Sequence, residues 1–251
     1  EITTRLVGSE MCIRDSTYCI PPFMIRSSVV NGVMSFAEME AMMYKIEGED
    51  LYLIGTSEHS MIGKFKGQIV DEKSLPITMT SYSPCFRKEV GSHGIEERGV
   101  YRVHQFEKQE MVVLCKPEDS MDWYNKMWSY TVEFFRSLDV PVRTLECCSG
   151  DLADLKVKSC DVEAWSPRQK KYFEVGSCST LGDAQARRLG IRTKGENGTY
   201  LVHTLNNTVL ASPRGLIAFL ENNLNEDGSV SIPKALQPYM GGMTKIEKKH
   251  A

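Results

Sequence analysis

Residues 86–110 read FRKEVGSHGIEERGVYRVHQFEKQE, a stretch dense in charged and aromatic side chains around a glycine-rich middle. The flanking pattern predicts two long strands, over residues 75–89 and 99–115, joined by a loop over residues 90–98. A surface hairpin usually alternates apolar and polar residues, and this one breaks the alternation at several positions. We therefore expect a hairpin whose side chains bind a ligand, with a solvent-facing hairpin held by salt bridges as the alternative.

Side chains two positions apart on a strand point to the same face. The planar fork of arginine suits a phosphate or a carboxylate, and an aromatic ring suits a nucleotide base. The glycine-rich loop can close over such a ligand as a flap. On the two strands the spacing groups two guanidinium groups, two carboxylates, an imidazole and a phenyl ring: Arg87, Glu89, Arg102, His104, Phe106 and Glu110.

Further candidates lie in the C-terminal half of the chain. Asn206 and Thr208 fall on one face of a predicted strand, and Arg214 falls in the first turn of the helix that follows. A helix N-terminus disfavours a cation, so Arg214 indicates a bound anion or a buried acidic partner, with extension into solvent as the alternative. Glu174 and Ser177 offer two oxygen atoms that suit a hard cation such as Mg²⁺.

Composition limits the classes of protein to consider. The 251 residues are 41% hydrophobic and 25% charged, which is typical of a soluble globular protein, and no apolar run approaches a membrane span. The net charge of −3 restricts any nucleic-acid contact to a local patch. Eight cysteines without a CxxC pair predict free thiols in a cytoplasmic protein and no structural zinc site.

The pattern of elements predicts an α+β fold, an antiparallel sheet with helices set beside it. Residues 17–251 contain no repeat or clear linker and are expected to form one domain. Besides the hairpin, strands are predicted over residues 51–56, 161–165, 171–176 and 200–208. Helices are predicted over residues 34–45, from Pro117 to about Leu138, over residues 183–189, and from a Ser212-Pro213 cap to about Asn222.

Residues 1–16 show neither helical nor strand periodicity and no signal-peptide core. Within them, LVGSEMCIRDS over residues 6–16 resembles a translated sequencing adapter, and an ordinary disordered terminus is the alternative. We expect this segment to be foreign and the natural chain to begin further upstream.

Four stretches, in order, resemble the catalytic domain of the seryl-tRNA synthetases, a family of class II aminoacyl-tRNA synthetases. An arginine-x-glutamate motif alone is weak, but RVHQFEKQE and TLNNT in this context are specific to the serine enzymes. The resemblance runs from about residue 18 to residue 242 and implies the class II antiparallel sheet. The stretches are TSEH at 56–59, residues 86–110, FEVGSCSTLGDAQARR at 173–188 and HTLNNTVLASPRGLIAFLEN at 203–222.

The resemblance implies an ATP site on the hairpin. Arg87 is expected to contact the α-phosphate of ATP and the serine carboxylate, and Glu89 to read the adenine amino group. Val103 is expected to line the base pocket beside Arg102. Phe106 and Arg214 are expected to cover the two adenine faces, with Arg214 also reaching the γ-phosphate.

The resemblance also implies Mg²⁺ and serine sites. Glu174 and Ser177 correspond to ligands of Mg²⁺ and ATP, which makes Arg87, Glu174 and Arg214 the expected catalytic residues. The remaining residues divide by substrate group: Thr56 and Glu58 hold the serine ammonium, and Glu110, Asn206 and Thr208 recognise the serine hydroxyl.

The implied activity is ATP-dependent formation of seryl-adenylate and transfer of the seryl group to tRNA(Ser), in a cytoplasmic homodimer. The N-terminal tRNA-binding arm and most of the dimerisation motif of the family are not in this sequence, so we expect an N-terminally truncated chain. His93, Glu96, Glu97 and Arg98 are candidates for contact with the tRNA acceptor end, and a solvated loop is the alternative.

Two other functions remain to be weighed. A free-standing paralogue could load an activated amino acid onto a carrier protein, and a non-catalytic paralogue could keep the fold as a binding module. The serine-type TxE motif and the absence of zinc-ligand spacing disfavour the first. The intact set of Thr56, Glu58, Arg87, Glu174 and Arg214 disfavours the second.

Overall fold

The structure is a computed structural model that describes residues 16–89 and 99–248. The predicted flap over residues 90–98, with His93, Glu96, Glu97 and Arg98, lies outside the described residues. So do residues 1–15 of the presumed adapter segment, whose foreign origin stays a prediction.

A seven-stranded sheet runs in the order β1-β5-β6-β12-β9-β8-β7, and its neighbours are antiparallel apart from the parallel β1–β5 pair. This confirms the predicted α+β class. The sheet contains β1 (Thr17–Tyr18), β5 (Ile77–Phe86), β6 (Gln105–Cys115), β7 (Val142–Glu146), β8 (Lys158–Ser166), β9 (Lys171–Thr180) and β12 (His203–Ala211). Smaller sheets contain β2 (Met24–Ile25), β3 (Tyr52–Leu53), β4 (Ile69–Asp71), β10 (Arg192–Gly195), β11 (Gly198–Leu201), β13 (Val230–Ser231) and β14 (Lys245–Ile246).

Helices cover both faces of the large sheet. They are α1 (Ser27–Val33), α2 (Phe36–Met42), α3 (Ser57–Gly63), α4 (Ser120–Ser137), α5 (Ala184–Leu189) and α6 (Ser212–Asn223). Within the described residues, none of these helices combines the length and the apolar character that a membrane crossing requires.

Strand β6 separates the two main layers of the core. Its side chains Met111 and Val113 pack with Tyr124 and Met127 of α4 on one face. On the other face, Val112 belongs to a second apolar cluster that includes α1, α3 and α5. Further along this second face the apolar cover ends, and the side chains of the strand line open cavities instead.

The functional hairpin is shorter than predicted. Its strands are Ile77–Phe86 and Gln105–Cys115, so Arg87, Glu89, Arg102 and His104 lie beyond the strand ends. The amide of Arg87 still donates to the carbonyl of His104 at 2.9 Å, but Glu89 adopts a left-handed conformation with φ of 51°. The two strands therefore stop pairing before Glu89. Arg102 and His104 precede the first residue of β6, so the alternation of side chains along a strand does not apply to them.

Three smaller expectations also need correction. The strand predicted over residues 51–56 is only two residues long, because Thr56 already caps α3 through a hydrogen bond from the Glu58 amide. Ser212 is the first residue of α6 rather than its cap, and the N-cap Ala211 has no side chain that could accept a hydrogen bond. Helix α1 was missed because its sequence SSVVNGV contains poor helix formers. Tertiary packing of Val30 in the core stabilises it instead.

Helix α4 is fixed to the sheet by polar contacts as well as by apolar packing. The side-chain amide of Asn207 donates to the backbone carbonyl of Met127 at 2.9 Å, and the hydroxyl of Thr131 donates to the backbone carbonyl of Thr208 at 3.1 Å. Gly176 lets these elements approach closely, since a Cβ there would lie 2.6 Å from the Thr208 carbonyl oxygen and 2.9 Å from Thr131 Cγ2.

We expect Gly176→Ala to lower the free energy of unfolding by about 1–3 kcal/mol, because the nearest obstacle is backbone that cannot move aside. Urea denaturation measures the change. Gly150→Ala is the matched control, since a Cβ at Gly150 meets nothing within 4 Å and its φ is not positive. Equal stabilities of the two variants would contradict the proposed close approach.

Candidate active site

Two cavities open on the uncovered part of the sheet. The arginine cavity, of about 210 Å³, is lined by Arg87, Arg102 and Arg214, and the carboxylate cavity, of about 250 Å³, is lined by Glu58 and Glu110. The two cavities adjoin because they share wall residues, namely Arg87, Lys108, Glu174 and Thr208. The site therefore has two compartments with a common boundary.

Arg87 is fixed at this boundary by two contacts. Its Nε atom donates to the carbonyl of Gly55 at 3.1 Å, and its guanidinium lies 5.4 Å from the centre of the Phe106 ring. These contacts join the end of β5 to the segment just before α3. They hold a positive charge where the two compartments meet.

The remaining hairpin residues line the arginine cavity in a partly different arrangement from that predicted. Arg102 and Glu89 form an ion pair at 3.0 Å, and Val103 and Phe106 contribute to the wall. His104 is exposed, where its Nδ1 lies 2.8 Å from the Tyr44 hydroxyl and 3.0 Å from the Arg87 carbonyl oxygen. His104 thus supports the hairpin and is not part of either cavity wall.

Arg214 has an acidic partner, Glu174, although this carboxylate is 44% exposed and is not the buried partner that was predicted. Its Nη1 atom lies 3.0 Å from Glu174 Oε2 and also donates to the Glu174 carbonyl at 3.2 Å. The guanidinium carbon stands 4.6 Å from the centre of the Tyr101 ring. Tyr101 was not predicted as a site residue, because its position two residues past a glycine gave no periodic signal.

Glu58 and Thr56 both line the carboxylate cavity. Thr56 is buried at the N-terminus of α3, and Glu58 Oε1 accepts a hydrogen bond from Gln185 at 2.8 Å. Burial raises the pKa of Glu58, and the neighbouring Glu110 raises it further, while the bond from Gln185 and the charge of Lys108 lower it. The carboxylate is thus suited to a cationic ligand that would offset this cost.

Glu110 and Thr208 also meet, and a buried lysine joins them. Thr208 Oγ1 donates to Glu110 Oε2 at 3.2 Å, and Lys108 Nζ lies 2.5 Å from the same oxygen. The side chains of Lys108 and Glu110 are 6% and 1% exposed, which makes this a buried ion pair. Asn206 lies beside them in the cavity wall. Lys108 was missed, although its spacing of two from both Phe106 and Glu110 placed it on the same face.

His59 is a second wall residue of the carboxylate cavity that the sequence did not single out. Its side chain is buried, and Nδ1 has no hydrogen-bond partner among the described residues. Burial lowers the pKa of His59 to about 3, assisted by the positive charges of Lys108 and Arg87. The imidazole is therefore neutral at physiological pH.

We expect this shift to make stability depend on pH. Between pH 6.5, the ordinary pKa of histidine, and the folded value of about 3, the unfolded chain binds a proton that the folded chain excludes. The free energy of unfolding should therefore fall with falling pH in this window. His59→Gln should make that slope shallower by up to about 1.4 kcal/mol per pH unit, as measured by urea denaturation from pH 7 to pH 4. A slope unchanged by the substitution would contradict burial of the neutral ring.

Glu174 and Ser177 lie on β9 beside a further carboxylate from the neighbouring strand. Asp161 is the register partner of Ser177 across β8 and β9 and accepts a hydrogen bond from its hydroxyl. Burial raises the pKa of Asp161, with Glu174 adding to the effect. In residues 16–89 and 99–248, no three His, Cys, Asp or Glu side chains form a metal-binding group. Glu174 and Ser177 nevertheless carry carboxylate and hydroxyl oxygen atoms, which are of the ligand types that Mg²⁺ takes in proteins.

The chain belongs to the class II tRNA synthetases. Residues 42–223 match the family described as the tRNA synthetase class II core domain (G, H, P, S and T). This match confirms the family resemblance that the four stretches indicated. The individual proteins that the chain resembles are serine--tRNA ligases.

Among curated proteins, a serine--tRNA ligase of Thermococcus sibiricus is 48% identical over 224 residues, which are 88% of this chain and 49% of that protein. A serine--tRNA ligase of Pyrococcus furiosus is 44% identical, over 93% of this chain and 52% of that protein. The chain spans about half the length of the curated relatives it matches.

Two solved structures share the fold. The crystal structure of seryl-tRNA synthetase from Pyrococcus horikoshii complexed with ATP matches with a TM-score of 0.95 at 42% identity, over 99% of this chain and 56% of that one. The crystal structure of cytoplasmic serine-tRNA ligase from Naegleria fowleri in complex with AMP matches with a TM-score of 0.92 at 34% identity, over 99% and 59%.

Proposed function

We propose that this chain activates L-serine with ATP, forming seryl-adenylate and pyrophosphate, as the catalytic part of a serine--tRNA ligase. The observation that carries the proposal is the common wall of the two cavities. One compartment presents arginines and aromatic rings suited to a nucleotide, the other presents carboxylates suited to an ammonium and a hydroxyl, and Arg87 and Lys108 lie between them.

The proposed reaction is a displacement at phosphorus. A carboxylate oxygen of serine attacks the α-phosphorus of ATP, the bond to the bridging oxygen breaks, and pyrophosphate leaves with those electrons. Two anions must approach each other, so the site must supply fixed positive charge where further negative charge develops. The two cations at the cavity boundary, Arg87 and Lys108, meet this requirement without any side-chain nucleophile.

The arginine cavity is the proposed nucleotide compartment. There, Phe106 and Arg214 are proposed to cover the two faces of the adenine, and Glu89 to accept a hydrogen bond from the adenine amino group. Arg102 and Val103 line the same cavity and complete its wall. Tyr101, which lies beneath Arg214, supports the proposed position of that guanidinium.

The carboxylate cavity is the proposed serine compartment. There, Thr56 and Glu58 are proposed to bind the ammonium group of serine. The serine hydroxyl is proposed to bond to Glu110 and Thr208, with Asn206 beside them. A polar pocket of this kind rejects alanine, because alanine would leave the buried Glu110 without the hydroxyl that the pocket is built to bind.

Glu174 and Ser177 are proposed to hold Mg²⁺ together with ATP. When bound, the cation neutralises phosphate charge and so assists departure of pyrophosphate. The fit rests on the oxygen atoms of the two residues and on Asp161, which accepts a hydrogen bond from the Ser177 hydroxyl, so that the lone pairs of this hydroxyl oxygen can face a cation.

Transfer of the seryl group to tRNA(Ser), homodimer formation and a cytoplasmic location are proposed for the whole protein. Exposed apolar side chains near the N-terminus, such as Ile20 and Met24, support burial of that surface against a partner subunit. The relatives described above, all serine--tRNA ligases, favour this function over a carrier-loading or non-catalytic paralogue.

The test is ATP–pyrophosphate exchange by the chain, measured with Mg²⁺ and a panel of serine, threonine, alanine, glycine and cysteine. We expect exchange that depends on serine, with alanine discriminated by more than about 100-fold because it leaves buried polar groups unpaired. Preference for another amino acid would favour the carrier-loading alternative. Absence of exchange with every amino acid, in a chain that binds ATP, would favour the non-catalytic one.

Arg87→Ala is expected to raise the activation barrier for serine-dependent exchange by about 2–4 kcal/mol, the typical effect of losing a charge contact made in the transition state. The rate of exchange and thermal unfolding are measured together, so that a folding defect is recognised. Arg192→Ala, at an exposed position on β10, is the control. Wild-type exchange by a folded Arg87→Ala protein would remove Arg87 from the mechanism.

A further inference from the structure

Gln185 is a buried amide in the segment DAQARR, for which the sequence suggested no role. It lies on α5, is 0% exposed and does not line either cavity. A fully buried amide must satisfy two donor hydrogens and an acceptor oxygen inside the protein. One of the hydrogen-bond partners of Gln185 is Glu58, which lines the serine compartment.

The orientation of the amide is determined by its neighbours. Nε2 donates to Glu58 Oε1 at 2.8 Å and to the Val33 carbonyl at 3.3 Å, while Oε1 accepts from Thr204 Oγ1 at 2.7 Å. A flipped amide would face the Val33 carbonyl and the Glu58 carboxylate with its own oxygen, and no donor would remain for either. Gln185 is therefore held with its NH₂ group on Glu58.

Glu58 depends on this donor because its surroundings otherwise favour the neutral acid. Burial and the charge of Glu110 raise the pKa of Glu58, and the hydrogen bond from Gln185 is the largest of the opposing effects. Lys108 and Lys156 lower the pKa as well. Other titratable or charged side chains also line the compartment and belong in any account of its pH dependence: Glu38, His59, Arg87 and Glu174.

We propose that Gln185 is the positioning residue for the ammonium-binding carboxylate of Glu58, keeping it ionised and aimed into the serine compartment, with Thr204 fixing the amide. This inference rests on the proposed function and adds to it a residue that touches no substrate. Gln185 links Glu58 to α1, α5 and β12, so the binding carboxylate is located by three elements besides its own helix.

The experiment compares the dissociation constants of L-serine and ATP for the wild-type chain and Gln185→Leu by calorimetry, from pH 5.5 to pH 9. Serine binding should weaken about tenfold or more at pH 7, and ATP binding should stay within about twofold. The pH below which serine affinity falls should move upward by about one to two units, because the carboxylate has lost a charge-assisted hydrogen bond. Affinity should therefore recover as the pH approaches 9.

Three variants separate positioning from structural damage. In a Glu58→Gln background, Gln185→Leu should produce no further pH shift, since the titrating group is gone. Gln68→Leu, which changes an exposed glutamine at the end of the loop after α3, should leave both affinities as in the wild type. Thr204→Val keeps both donors of Gln185 and should shift the profile in the same direction by a smaller amount, and it decides the matter if Gln185→Leu does not fold.

The inference is overturned if folded Gln185→Leu, or Thr204→Val in its place, binds serine with the wild-type pH profile. A loss of serine affinity that is the same at every pH would also overturn it, because that result describes a packing defect. If the wild-type chain binds ATP but not serine, the proposed function fails instead, and the two failures are thereby distinguished.

Discussion

The ion pair between Lys108 and Glu110 is the interaction on which the site depends. Both charges are buried on the face of β6 where the apolar core ends, and the cost of removing them from water is offset by their mutual contact and by the hydrogen bond from Thr208. The pair lies on a central strand, between β5 and β12, so its backbone is paired on both sides. The sheet therefore fixes where the boundary between the two compartments lies.

The elements around this pair bring the other charges into place from different directions. Arg87 extends from the end of β5 and is tied back to Gly55 before α3, while Glu58 comes from α3 and Arg214 from α6. Glu58, Arg87 and Arg214 are far apart in the sequence. Their convergence follows from the antiparallel order of the strands, which brings hairpin β5–β6 beside β12 and β9.

The class of fold and most of the site could be predicted from the sequence, because strand alternation and recurrent motifs are local signals. Phe106 and Glu110 share a face as the alternation indicated, and Arg214 has an acidic partner, although a more exposed one than its place in α6 suggested. Alternation failed for Arg102 and His104, since the left-handed turn at Glu89 ends the ladder and no residue pattern specifies that end. Lys108 was missed for another reason: a lysine on a strand is usually exposed, and only the tertiary contact with Glu110 makes its burial tolerable.

The contact between Glu174 and Arg214 has a consequence for which form of the nucleotide can enter. The two side chains offset each other's charge across 3.0 Å, so a ligand that carries both signs of charge can contact both of them and replace their mutual interaction. Under the proposed function, the metal-complexed nucleotide is such a ligand.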